Sequence, residues 1–196
     1  AYIELIYKDR LAILGANCSV KSTLIKLLLE DVQKEEPTFK WGTKLTIGYL
    51  PQEIEFEDEE QTLLTYFMEK HVISQNEARS ELAKALFVRD DVHKKIKVLS
   101  GGEKSKLKLL SMTYNQTNFL ILDEPTNHLD IDSREVLEEM LLEFNGTILF
   151  ISHDRYFIKK IATRIGEIQQ LKMNYYEGDY DYYKSNRVVI EIPKKE

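Results

Sequence analysis

"LAILGANCSVKSTL", residues 11–24, is the stretch on which the fold turns. It opens with a short apolar run ending at Gly15 and passes into "STLIKLLLE", a segment of helical character that starts at Ser22. That order is strand, loop, helix. The loop follows the pattern G-x-x-x-x-G-K-[ST] at Gly15, Lys21 and Ser22, but Val20 stands where the second glycine belongs. Backbone N–H groups at a helix start are unpaired and sit at the positive end of the helix dipole, so they bind anions. On that reading Lys21 reaches terminal phosphates and the Ser22 hydroxyl ligates magnesium. The plain alternative is an ordinary strand-to-helix turn. With Val20 in place, the loop alone leaves both open.

Two further strands can be read downstream. "FLILDEP" from Phe119 is a buried strand ending in Asp123 and Glu124, and "GTILFISHD" from Gly146 is another. Between them, Val136, Leu137, Met140, Leu141 and Phe144 share one helical face. Asp132 and Glu135 fit an N-cap and its reciprocal acid, and Asn145-Gly146 fits the helix end. Strands alternating with helices predict an α/β fold with a mostly parallel sheet and right-handed crossovers.

The middle reads differently. Glu53 to Glu60 is an acidic loop, and Thr62 to Thr113 is mostly helical, with Ser74 and Glu77 as one helix start. The expected organisation is one domain over 1–196. Its core spans 1–52 and 114–170, with a helical subdomain inserted over 53–113. The tyrosine-rich, then basic segment 171–196 is expected to be a tail or linker. The 196 residues suffice for a core, and 43% hydrophobic with 31% charged residues suits a globular chain. No apolar run approaches the ~20 residues that span a bilayer. The single cysteine, Cys18, cannot form an internal disulfide and points to a reducing cytosol. A net charge of −6 argues against strong nucleic-acid binding by this chain alone.

Each chemical motif has a bland counterpart. A carboxylate at the end of a buried strand, such as Asp123, can hold magnesium through water, and the next, Glu124, can polarise an attacking water. Both can equally be helix-capping acids. In "LSGGE", Leu99–Glu103, Ser100 and Glu103 make a capping box, S-x-x-E. Capping does not need the adjacent Gly101 and Gly102, and bare N–H groups there suit a phosphate. His153 in "ISHDRYF" follows a strand directly, at the edge where ligands bind in such sheets. A packing or capping histidine is the usual alternative. Gln52 in "GYLPQE" says nothing alone.

Taken together, the loop, Gln52, "LSGGE", "LILDEPTNHLD" and "SHD" resemble, in order and spacing, an ATP-binding cassette (ABC) ATPase domain, a P-loop NTPase fold of the RecA-like kind. The resemblance runs to about Tyr183. "EPTNHLD", "SHDRYF" and "YYEGDYDYY" are similar to the F subfamily, whose members carry two cassettes, lack membrane spans, and act on ribosomes in translation or in protection from antibiotics. The resemblance implies ATP and Mg2+ as cofactors. Gly15, Asn17, Cys18, Ser19, Val20, Lys21, Ser22 and Thr23 would bind nucleotide, with Ser22, Gln52 and Asp123 around magnesium. Glu124 would be the base or water-orienting residue and His153 the γ-phosphate sensor. Ser100, Gly101, Gly102 and Glu103 would bind the ATP of a second cassette stacked head to tail, with Asn127, His128, Leu129 and Asp130 at that interface. It further implies a cytoplasmic protein whose ribosome contacts lie in attached regions.

Four positions depart from the family pattern. Cys18 and Val20 replace loop glycines, Lys8 replaces a glycine before "DR", and Phe39 stands where glycine often precedes a strand. A β-branched valine tolerates positive φ poorly, so strain of roughly 1–3 kcal/mol is expected at Val20. The strands that precede the loop in the family, with their adenine-stacking aromatic residue, are not recognised ahead of Leu11. Two other functions stay open: a non-hydrolysing partner cassette, and the ATPase subunit of a membrane transporter. One expectation follows from the loop itself. Mg-ATP filling it should slow maleimide labelling of Cys18, and the midpoint of that fall should report affinity; labelling indifferent to saturating Mg-ATP would favour the non-hydrolysing partner.

Overall fold

The computed structural model describes residues 3–15, 18–127, 129–170 and 172–187, with backbone only at Cys18 and Ser19. The expected site residues Asn17 and His128, and the basic end of the tail, lie outside the described residues.

Six strands form one sheet in the order β2-β3-β4-β1-β5-β6. They are β1 (Arg10–Gly15), β2 (Ile47–Leu50), β3 (Phe119–Asp123), β4 (Thr147–Ile151), β5 (Arg164–Gln169) and β6 (Lys172–Tyr176). The first five pair in parallel, and β6 runs antiparallel to β5. Side chains alternate across the sheet. Leu11, Ile13, Phe119, Ile121, Leu149 and Ile151 pack under α1 (Cys18–Asp31) through Leu24, Ile25 and Leu28. Ala12, Leu120, Leu122, Ile148 and Phe150 face the opposite side. There they meet α5 (Ile131–Glu143), α6 (Arg155–Ile161) and α7 (Tyr180–Asn186).

The helical insertion has a core of its own. Leu63 and Phe67 of α2 (Leu63–His71), Ala78 and Leu82 of α3 (Gln75–Lys84), and Val92 and Ile96 in two short 3-10 segments cluster with Leu107 and Leu110 of α4 (Gly101–Tyr114). α4 also sends Leu109 into the sheet core, so one helix ties the two cores together. Ser74 caps α3 as expected, accepting from Glu77 N–H.

Three sequence expectations are corrected. Asp130, not Asp132, caps α5, because its carboxylate is the one that accepts from Ser133 N–H. The same helix stops at Glu143, before Asn145-Gly146. Gly146 instead allows a close approach: a Cβ there would lie 2.4 Å from the Asn118 carbonyl oxygen and 2.5 Å from the Phe144 ring. The third concerns the tail. Residues 172–186 are not a linker, since β6 completes the sheet and α7 packs on it. The Tyr183 hydroxyl donates to buried Glu167 at 2.8 Å, and Tyr176 approaches the same carboxylate at 3.5 Å. A run of tyrosines looks polar in sequence, but here the rings of Tyr176 and Tyr183 fill core and their hydroxyls meet one buried acid, while Tyr182 stays exposed. Tyr183→Phe should therefore cost about 1–3 kcal/mol in urea unfolding, because it leaves Glu167 with one long hydrogen bond; a linker tyrosine would show no change.

Candidate nucleotide site

The parallel registers place the carboxyl ends of β1, β3 and β4 side by side. Ile151 pairs with Asp123 on one flank and Ile13 on the other. Each chain therefore leaves the sheet at one edge, and the residues that follow converge there: the loop after Gly15, Glu124 after β3, and Ser152-His153 after β4. Gln52 lies two residues past the end of β2, on the same edge.

Lys21 lies in the first turn of α1 and is only 1% exposed. Its ammonium donates to the Gly15 carbonyl at 3.1 Å and to His153 Nε2 at 3.2 Å. An ammonium can only donate, so in this contact Nε2 is the acceptor. Glu124 Oε1 approaches the same nitrogen at 3.4 Å. Glu124 Oε2 accepts from the His153 backbone N–H at 3.1 Å. Glu124 itself has φ 50, a left-handed backbone that a glutamate adopts at some strain. The turn fixing it includes Glu124 N–H to the Ile151 carbonyl and Asn127 N–H to the Glu124 carbonyl, both 3.0 Å.

Asp123 is buried beside this group. Burial pushes its carboxyl above the usual range, opposed by a hydrogen bond from Ser22 and by the charges of Lys21 and Lys26. Its Oδ1 is buried and has no hydrogen-bond partner. A buried acceptor without a donor is uncommon and calls for an explanation. Next to a serine hydroxyl, it suits a hard cation whose other ligands are phosphate oxygens and water. No group of three or more acidic, histidine or cysteine side chains that could hold a metal exists among the described residues. The pair of Ser22 and Asp123 fits a magnesium ion brought with a phosphate ligand.

Val20 is a third-residue position of α1 and is not among the described residues with positive φ. The strain expected there is absent, because the helix starts at Cys18 and takes Val20 in its ordinary conformation. Lys8 is the departure that does meet a left-handed backbone, at φ 69.

Ser100 to Glu103 stand apart from the loop, at the start of α4. The capping box forms as expected: Ser100 Oγ accepts from Glu103 N–H at 3.2 Å and Glu103 Oε2 from Ser100 N–H at 2.8 Å. The two glycines differ. A Cβ on Gly102 would come within 2.9 Å of Ser133 and 3.2 Å of Leu129, whereas one on Gly101 would meet nothing within 4 Å. Gly102 is thus explained by packing of α4 on α5, whereas nothing among the described residues explains Gly101. Leu129 is half-buried under that contact, while Asn127 and Asp130 are exposed beside it. The sequence reading missed Arg134 and Asp154, which join α5 to the turn carrying His153 at 2.8 Å. The aspartate preceding a helix start was the only signal for them.

Residues 3–127 match the family described as ABC transporter. The chain belongs to that family. It is 44% identical over 185 residues to YdiF, described as ATP-binding, of Bacillus subtilis (strain 168), covering 93% of this chain and 29% of that protein. It is 36% identical over 183 residues to ABC transporter F family member 2 of Arabidopsis thaliana, covering 92% of this chain and 27% of that protein. The chain thus spans under a third of either relative. Among solved structures, an inward-facing metal-chelate type ABC transporter superposes with a TM-score of 0.67 at 22% identity, covering 89% of this chain and 74% of that one, which shows the shared fold. The chain is an ABC ATPase cassette with F-family relatives. No helix among the described residues is long and apolar enough to cross a membrane.

The two glycines give a paired expectation. Gly102→Ala should destabilise the protein by about 1–3 kcal/mol through overpacking on Ser133. Gly101→Ala should stay within about 0.5 kcal/mol of wild type. Thermal or urea unfolding of the two variants checks both.

Proposed function

We propose that this cassette binds and hydrolyses ATP at a head-to-tail interface with a second cassette, as part of an F-type protein that acts on the ribosome. The observation that carries the hydrolytic reading is the partnerless, buried Asp123 Oδ1 beside Ser22, set one residue from Glu124 and across the edge from Lys21 and His153. Support for the paired arrangement is Gly101, a glycine at a helix start that packing among the described residues does not require. The ribosome follows from the likeness of "EPTNHLD" and "SHDRYF" to the F subfamily, and from relatives named for it. Whether the action is translation control or antibiotic protection belongs to attached regions.

The residues divide the work as follows. Lys21 exchanges the Gly15 carbonyl and His153 Nε2 for phosphate oxygens as nucleotide enters. Unpaired N–H groups at the start of α1 face the same phosphates. Ser22 and Asp123, with Gln52 on the same edge, would hold magnesium, which neutralises charge developing on the transferred phosphoryl group. Glu124 orients the attacking water, and its grip on His153 N–H keeps the histidine beside the terminal phosphate. Water ends on the phosphorus and ADP leaves with the bridging oxygen, giving ADP and inorganic phosphate.

Glu124→Gln keeps an acceptor for His153 N–H but loses the basic carboxylate. With the opposing cassette's own glutamate substituted, it should lower turnover about 10²–10⁴-fold while ATP binding, followed by calorimetry, is retained. Unchanged turnover would remove Glu124 from the reaction. No detectable turnover in the parent with Glu124 intact would establish the non-hydrolysing partner instead.

A further inference from the structure

One well-placed side chain has no task in the scheme above. Arg134 is on the first turn of α5, its N–H donating to the Asp130 carbonyl at 3.0 Å. Its Nη1 lies 2.8 Å from Asp154 Oδ2, while its Nε is buried without a partner. Asp154 is the residue after His153. Its Oδ1 accepts from the N–H groups of Tyr156 and Phe157 at 2.9 and 3.2 Å, capping α6, and its own N–H donates to Ser152 Oγ at 3.1 Å. The residues on both sides of His153 are therefore tied to one turn, and Arg134 ties that turn to α5.

The other end of the first turn of α5 is equally engaged. Asp130 accepts from Ser133 N–H at 2.8 Å and from Ser133 Oγ at 2.9 Å. Ser133 in turn lies against Gly102, where an added Cβ would be 2.9 Å away. Direct contacts thus run from Gly102 through Ser133, Asp130, Arg134 and Asp154 to His153 and Glu124. The path begins at the helix start that would serve a neighbouring cassette's nucleotide and ends at the groups that would serve this one's.

Asp154 would cap α6 without Arg134, and a pair this accessible adds little to stability; the arginine side chain is 36% exposed. Its contribution lies in geometry. We propose that Arg134 is a positioning residue. It holds the His153 turn in register with segment 129–133, so that contact of a second cassette with that segment sets where His153 stands against Glu124. This rests on the paired ATPase reading.

The test uses the complete protein with its partner cassette, the partner's glutamate substituted so that only this site turns over. Arg134→Ala should lower kcat about tenfold or more, as expected for misplaced catalytic groups, with KM for ATP and the melting temperature little changed. Arg134→Lys should restore most of it. Asp154→Asn keeps a good N-cap and should lose turnover to the same extent. Combining it with Arg134→Ala should lose no more than either alone, because the two act as one unit. Unchanged kcat in Arg134→Ala, additive losses in the double variant, or kcat, KM and melting temperature failing together would overturn the proposal. Glu124→Gln measured alongside separates the two levels. If it abolishes turnover and Arg134→Ala does not lower it, only the positioning role fails; if it has no effect, the hydrolytic reading fails and takes this inference with it.

Discussion

The constraint on which everything else rests is the parallel pairing of β1 between β4 and β5 and of β3 beside β4. Parallel strands in register end together, so the loops that follow them share one edge. That alone puts Lys21, Ser22, Asp123, Glu124 and His153 within reach of one ligand, although the first and last are 132 positions apart. A register slip of one residue would turn Asp123 to the other face of the sheet and dismantle the group.

The edge is also where the chain tolerates unfavourable local states. Glu124 takes a left-handed backbone, Asp123 keeps a buried oxygen without a donor, and Lys21 is withdrawn from water onto a carbonyl and an imidazole. Each is unfavourable in isolation, and together they stand at one point of the molecule. The surrounding fold offsets them through fully buried strands on both faces of the sheet. On the proposed function, a phosphate ligand with its cation would relieve two at once, offering Lys21 a better acceptor and Asp123 Oδ1 a partner.

The helical insertion answers a different demand. It has an apolar cluster of its own, and α4 joins it to the rest through Leu109 and the tight Gly102–Ser133 contact. Because that contact falls on the first turn of α5, the start of α4 and the His153 turn share a neighbour. Two ends of the molecule that would meet different nucleotides are linked by one short stretch of helix.

Sequence by itself determined whatever depends on neighbours a few residues apart. The strand-loop-helix at Gly15–Ser22, the capping box of Ser100 and Glu103, the Ser74 helix start, and the apolar strands ending in Asp123 and Ile151 were all legible, because their signals are local periodicity and capping chemistry. Only the tertiary structure decided the rest. Val20 is unstrained because the helix begins before it. Tyr176 of β6 and Tyr183 of α7 belong to the core, where their hydroxyls meet Glu167, 16 residues from Tyr183. Arg134 meets Asp154 only once α5 and α6 lie on the same face of the sheet. The Tyr183–Glu167 and Arg134–Asp154 pairings join residues that no local pattern connects, and their energies exist only after the chain has closed the loops between them.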